Sequence, residues 1–193
     1  MQTLELDLNK RYSYTDYLQW FDETRRELFN GFFKLMSPAP TSKHQLVASN
    51  IYGLIWNYLR KKKCKAFYAP FDVRLPNENE TNDNEIYTVV QPDICVICDL
   101  QKIDKRGCLG APDMIVEIVS ENNKKRDLEE KFQIYQQHAV REYWIVLPDE
   151  KIVNVFLLNE NLKYQLVGMF SEGQIKVNIF DNLYVDFEEI FEE

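Results

Sequence analysis

The chain has 193 residues, a size that favours one domain with room for a real core. Hydrophobic residues make up 45% and aromatic ones 13%, which argues against disorder, and no apolar run approaches the roughly 20 residues needed to cross a bilayer. The formal charge of −8 is awkward for a nucleic-acid partner, because phosphate contacts rest on clustered Lys and Arg.

The first residues, Met1-Gln2-Thr3-Leu4-Glu5-Leu6-Asp7, carry acids early and lack the long apolar stretch of a secretory signal, so a cytoplasmic protein is expected. Thr15-Asp16-Tyr17 opens a short helix capped by Thr15 or Ser13. Asn30-Gly31 tolerates positive φ at both turn positions and predicts a hairpin with strands over 25–29 and 32–36. After a Pro-rich loop over 37–41, apolar residues recur at Leu46, Val47, Ile51, Leu54, Ile55, Tyr58 and Leu59. That spacing predicts a helix from Ser42 to near Lys62. Strands are expected over 66–68, 71–75, 87–89 and 92–98. Asp72 and Arg74 alternate with Phe71, Val73 and Leu75, which predicts a solvated face there. The acidic stretch 77–84 reads as a mobile loop, and 101–110 as another loop. A strand over 114–119 leads through a turn to a helix over 126–138, with Leu128, Phe132 and Tyr135 on its apolar face. A buried strand over 141–147 follows, then a hairpin over 151–158 and 162–170, a short strand and an acidic helical tail. No repeat or linker divides the chain. Helices on a mixed sheet give an α/β fold.

Two basic clusters stand out, Arg60-Lys61-Lys62-Lys63 and Lys124-Lys125-Arg126. Each reads either as a solvated helix end or as a phosphate-facing patch. Lys61, Lys62, Lys124, Lys125 and Arg126 are therefore the candidates for nucleic-acid contact. Of the four cysteines, Cys95 and Cys98 have the spacing of half a zinc knuckle, but no second pair completes it. All four are expected to be core thiols of a reducing compartment.

The chemistry concentrates in the middle third. Glu117 interrupts the apolar run Met114-Ile115-Val116-Glu117-Ile118-Val119. An unpaired carboxylate buried there would cost several kcal/mol (roughly, from transfer scales), so the residue is expected to be paired or to hold a cation. Asp93, in Gln91-Pro92-Asp93, opens what should be an adjacent strand. Mg²⁺ is commonly held by one or two carboxylates, with water and substrate phosphate completing its shell. Lys131, on the following helix with Asp127 and Tyr135 on the same face, could orient or deprotonate an attacking water, or stabilise the phosphate charge. His44 opens the long helix. Glu27 precedes the Asn-Gly turn, and Asp113 stands earlier on the strand of Glu117. Each of these is either a supporting residue of the site or simply a polar surface residue.

Several ordered motifs resemble the Uma2 family, a group of endonuclease-like proteins. They are Gln91-Pro92-Asp93-Ile94, the run from Gly110 through Glu117 to Ser120, Arg126-Asp127-Leu128-Glu129-Glu130-Lys131 through Tyr135, and Val140-Arg141-Glu142-Tyr143-Trp144-Ile145-Val146. Arg26-Glu27-Leu28-Phe29-Asn30-Gly31 and the stretch from Ser37 to His44 match upstream. The resemblance covers about residues 12–158 and implies a single domain over 1–193 with a restriction-endonuclease-like α/β core of the PD-(D/E)xK type. That core is a central mixed β-sheet flanked by helices, here with an N-terminal helix and hairpin and a C-terminal hairpin added. It implies an endonuclease, with Asp93 and Glu117 as ligands of Mg²⁺, for which Mn²⁺ can substitute. The superfamily lysine usually stands two residues after the second acid. Val119 occupies that place here, and Lys131 is the natural replacement. His44 falls where relatives often carry a metal-supporting acid, and Gln91 and Tyr135 are candidates for support. The implied partner is nucleic acid, DNA before RNA, and cutting a duplex makes a homodimer the expected assembly. The rival readings are a nuclease fold that binds without cutting, and a regulatory dimer built on the aromatic hairpins over 153–164.

Overall fold

The fold is built on two six-stranded sheets rather than one. The computed structural model describes residues 5–36, 39–77, 80, 82–119 and 126–192. In chain order the elements are α1 (Tyr14–Tyr17), β1 (Arg26–Phe29), β2 (Phe32–Leu35), α2 (Ser42–Leu59), β3 (Lys65–Tyr68), β4 (Val73–Arg74), β5 (Val89–Val90), β6 (Ile94–Ile97), β7 (Ile103–Asp104), β8 (Gly107–Leu109), β9 (Met114–Ile118), α3 (Arg126–Gln137), β10 (Glu142–Leu147), β11 (Ile152–Leu158), β12 (Tyr164–Phe170), β13 (Gln174–Lys176), β14 (Tyr184–Asp186) and α4 (Phe187–Ile190). The central sheet runs β12-β11-β10-β9-β6-β3 and is mixed, with β9 and β10 parallel and the other neighbours antiparallel. The second sheet, β2-β1-β5-β4-β8-β7, absorbs the N-terminal hairpin as its edge.

Local chemistry explains the boundaries. Ser13 caps α1 in a reciprocal box with Asp16, and the Asn30-Gly31 turn has φ of 52° and 90°, as the hairpin requires. The Thr41 hydroxyl accepts the His44 N–H and starts α2. That helix ends at Leu59, short of the basic cluster, where Lys61 takes a left-handed φ of 63°. Val47, Ile51 and Ile55 of α2 pack on Met114, Val116, Ile118 and Trp144. The opposite face of the central sheet, with Cys95, Ile115 and Tyr143, is covered by Ile134 and Tyr135 of α3 and by Val73, Val90 and Cys108 of the second sheet. Both faces of β9 are therefore dry, which accounts for its unbroken apolar sequence.

Four sequence expectations are corrected. The segment 101–110 is not a loop: a 3₁₀ turn over Leu100–Lys102 leads into the β7–β8 hairpin. Arg74 is not on a solvated face. It is 1% exposed and reaches Asp104 at 2.7 Å, while Asp72 is engaged by Gln91 and Tyr14. The thiols are not all free: the β3–β6 register sets Lys65 opposite Ile97, and one pair further on Cys64 and Cys98 are joined in a disulfide. Cys95 and Cys108 remain buried free thiols. Part of the acidic stretch expected to be mobile is tied down, since Asp83 pairs with Arg106 and accepts the Thr15 N–H. Residues 78, 79 and 81 lie outside the described set. Among the described residues no helix is long and apolar enough to cross a membrane.

Glu142 anchors the C-terminal segment. Fully buried at the start of β10, it accepts hydrogen bonds from Trp144 Nε1, Asn178 Nδ2 and the Ile179 N–H. Glu142→Ala strands the indole and backbone donors, and is expected to lower the unfolding free energy by about 2–4 kcal/mol, with Glu142→Gln losing less. Urea denaturation checks this. An alanine variant as stable as the wild type would show that these bonds are not what holds residues 178–179.

Candidate active site

The β6–β9 register pairs Ile94 with Val116, so continuing it by one residue brings Asp93 opposite Glu117. Alternation then turns both side chains away from α2 and toward the face covered by α3. Asp93 Oδ2 accepts the Ile118 N–H at 2.7 Å and lies 3.3 Å from His44 Nε2. Glu117 Oε1 accepts from Tyr135 Oη at 2.6 Å and from Lys131 Nζ at 3.0 Å. Lys131 Nζ also lies 3.2 Å from Glu27 Oε1, which in turn accepts the Gln91 N–H at 2.7 Å. The Gln91 side chain is fixed in its own right, donating to Asp72 Oδ1 and Tyr17 Oη and accepting from Arg25.

Five segments thus converge on one buried polar cluster. Glu27 comes from β1, His44 from the first turn of α2, Gln91 and Asp93 from the β5–β6 connection, Glu117 from β9, and Lys131 and Tyr135 from α3. Residues four apart on a helix share a face, so Lys131 and Tyr135 reach the same carboxylate oxygen. Glu27, Glu117 and Lys131 are 3%, 7% and 7% exposed, so none of their charges is solvated from outside. The cluster borders a cleft of about 70 Å³ whose wall includes His44, Gln91, Asp93, Glu117, Leu128 and Lys131.

Charge balance sets the protonation states. Burial pushes the Glu117 carboxyl up to about 7. Asp93 and Glu27 act in the same direction, and Lys131 and the Tyr135 hydroxyl oppose them. For Lys131, burial acts to release the proton, but Glu117, Glu27 and Asp93 outweigh it, so its pKa lies above the ordinary lysine value. Lys131 is an ammonium at neutral pH. Burial likewise disfavours charge on His44, but the Asp93 hydrogen bond and the Ile118 carbonyl overcome it and raise its pKa. The acids Glu27, Asp93 and Glu117 outnumber the bases Lys131 and His44 that face them, an environment that attracts a cation.

Each acid spends one oxygen on the protein and keeps the other. Among the described residues, Asp93 Oδ1 and Glu117 Oε2 accept no hydrogen bond, while their partner oxygens each have two donors. No group of three or more His, Cys, Asp or Glu side chains is gathered as a ready metal cage among the described residues. Two free carboxylate oxygens suit a hard cation that keeps much of its water, as Mg²⁺ does, and the donor set is all oxygen.

Not every candidate reaches this cluster. Asp113 precedes the other end of β9, where it accepts the Cys98 N–H and pairs with Arg141. It serves the fold there, not the cleft. Lys61 and Lys62 follow the far end of α2, roughly 22 Å along the helix from His44 at 1.5 Å per residue, and Lys62 stacks on the Tyr58 ring. Lys124 and Lys125, and the side chains of Arg126 and Asp127, lie outside the described residues. The sequence reading missed the layer behind Gln91, formed by Asp72, Tyr14 and Tyr17. The interleaved tyrosines of Tyr12-Ser13-Tyr14 and Tyr17 were its only trace.

Asp72 offers a test of that layer. Burial raises its pKa despite hydrogen bonds from Gln91 and Tyr14. An acid whose folded pKa exceeds its unfolded one stabilises the fold below the unfolded value, and loses that contribution as pH climbs through the folded value. Asp72→Asn is therefore expected to melt higher than the wild type at pH 7, with the gap closing toward pH 4. Thermal melts across that range check it, and a pH-independent gap would refute it.

A family model named Uma2 and described as "Putative restriction endonuclease" matches residues 14–185. Among solved structures, the chain is similar to "a putative nuclease belonging to DUF820" from Anabaena variabilis, with a TM-score of 0.71 at 17% identity over 93% of this chain and 97% of that one. A likeness at that identity shows the shared fold. No curated protein matches the chain.

Proposed function

Because the chain belongs to the Uma2 family, whose model spans most of its length, we propose that it is a divalent-cation-dependent endonuclease that hydrolyses phosphodiester bonds of DNA. Asp93 Oδ1 and Glu117 Oε2 would hold Mg²⁺, with Mn²⁺ as a substitute. The observation that carries this reading is the pair of uncommitted carboxylate oxygens beside a buried ammonium in one cleft. The chemistry supplied by a bound Mg²⁺ is polarisation of a phosphate oxygen and a lower pKa for water.

The chain's own residues do the rest. Lys131, kept protonated by Glu27 and Glu117, acts as a fixed positive charge rather than as a base. It orients the attacking water and stabilises charge that develops on the phosphate. Tyr135 and Lys131 fix the rotamer of Glu117, as the Ile118 N–H and His44 fix that of Asp93. The test is nicking of supercoiled plasmid and cleavage of single-stranded and duplex oligonucleotides, with Mg²⁺, Mn²⁺ or EDTA. Ion-dependent cleavage is expected. A pure protein that cleaves no DNA or RNA with either ion would leave the second reading, a nuclease fold that binds without cutting. Val119 at the usual lysine position and the net charge of −8 favour that alternative.

A further inference from the structure

Gln91 borders two cavities. One is the catalytic cleft of about 70 Å³, and the other is a wider hollow of about 330 Å³ on the side of the second sheet. The cleft has room for an ion and water, but the hollow falls in the roughly 300–1,000 Å³ range of small-ligand pockets. Its walls are Pro70 and Phe71, from the connection between β3 and β4, and Lys105-Arg106-Gly107 at the β7–β8 turn. Asp72, Gln91 and Asp104 complete the lining.

These walls are held in place. The Cys108 N–H bonds to the Asp72 carbonyl at 2.8 Å, and a Cβ on Gly107 would stand 2.1 Å from that same oxygen, so only glycine lets the hairpin seat there. Most of the charges around the hollow already have partners. Asp104 reaches Arg74, Arg106 pairs with Asp83, and Asp72 accepts from Gln91 and Tyr14. Of the two cationic side chains that line the hollow, Lys105 alone makes no ion pair among the described residues, which leaves a free positive charge beside a half-buried aromatic ring.

We infer that this hollow receives one unpaired nucleotide next to the scissile phosphate, with Phe71 against the base and Lys105 on a flanking phosphate. An aromatic ring takes any base, and a cation tracks the backbone. A base stacked within a duplex cannot reach such a recess, so the nucleotide must be extruded or already single-stranded. The inference rests on the nuclease reading, and assigns it DNA with a flap, bulge or single-stranded junction as the preferred substrate.

Fluorescence anisotropy in EDTA, where ion-dependent cleavage is arrested, measures binding of a labelled duplex and of the same duplex carrying a single-stranded flap. The wild type is expected to bind the flapped DNA more tightly. Phe71→Ala and Lys105→Glu are expected to weaken flapped binding about tenfold, the scale of one lost stacking contact, and to leave duplex binding unchanged. Phe71 also stacks on Phe67 with centroids 4.3 Å apart, so the exposed Lys105→Glu variant keeps the test independent of packing. Equal wild-type affinity for both DNAs, or variants that weaken both by one factor, would overturn the assignment of the hollow alone. A wild type that binds neither DNA would overturn the assignment, and one that also cleaves neither with Mg²⁺ or Mn²⁺ would overturn the nuclease reading with it.

Discussion

Lys131→Met is expected to lower cleavage by about 10²–10³-fold, the usual effect of removing one preorganised charge or donor from a reacting centre. It is expected at the same time to tighten Mn²⁺ binding. The second half follows from the geometry. Lys131 Nζ sits 3.0 Å from Glu117 Oε1 and 3.2 Å from Glu27 Oε1, so its charge opposes any cation placed on Glu117. Its removal deepens the negative potential of the cleft. The same change leaves two buried carboxylates unpaired, at about 3–5 kcal/mol. A thermal melt with and without Mn²⁺ therefore accompanies the kinetics, and the ion is expected to restore much of the lost stability. Lys131→Arg separates charge from shape: it keeps the ion pairs but puts a planar fork where a point charge was held. Wild-type cleavage by a folded Lys131→Met chain would remove the lysine from the mechanism.

The parts of this site that were legible in the sequence are those that break a local rule. Glu117 is conspicuous because nothing charged belongs in a dry strand, whereas Asp93 alone reads equally as a turn residue and Lys131 alone as a surface helix lysine, and both joined it through their ensemble and the family resemblance. The α2 periodicity and the Asn30-Gly31 turn were equally plain, since each depends on neighbours a few residues away. What escaped depends on strand register and on contacts between distant segments. Arg74 reads as the polar half of an alternating strand, and only the approach of β8 and Asp104 makes its burial sustainable. The bond between Cys64 and Cys98 needs the β3–β6 register, which neither strand's sequence announces. The β7–β8 hairpin has strands of two and three residues, too short for any period to emerge. Even so, the segment that carries it forms one wall of the hollow beside the cleft.

One Mn²⁺ per chain is the expected stoichiometry, and Asp93→Asn is expected to lose it. A site for two ions needs a carboxylate whose two oxygens can serve both metals. Here Asp93 Oδ2 is taken by the Ile118 N–H and His44, and Glu117 Oε1 by Tyr135 and Lys131, so each acid has a single oxygen left to offer. The asparagine at position 93 can keep its carbonyl on the Ile118 N–H and preserve the turn into β6. What it cannot keep is the second, anionic oxygen. Fold and melting temperature are therefore expected to stay close to the wild type, while Mn²⁺ affinity falls by about 100-fold or more, roughly two factors of 1.4 kcal/mol for the loss of one of two charged ligands. Calorimetric titration of Mn²⁺ into both chains measures number and affinity together. Two ions on the wild type would mean that the donors on Oδ2 or Oε1 give way, making Lys131 or His44 a displaceable guard rather than a fixed part. Equal binding by both chains would move the ion off Asp93 altogether. Lost binding together with lost cleavage would tie the free oxygen of Asp93 to both.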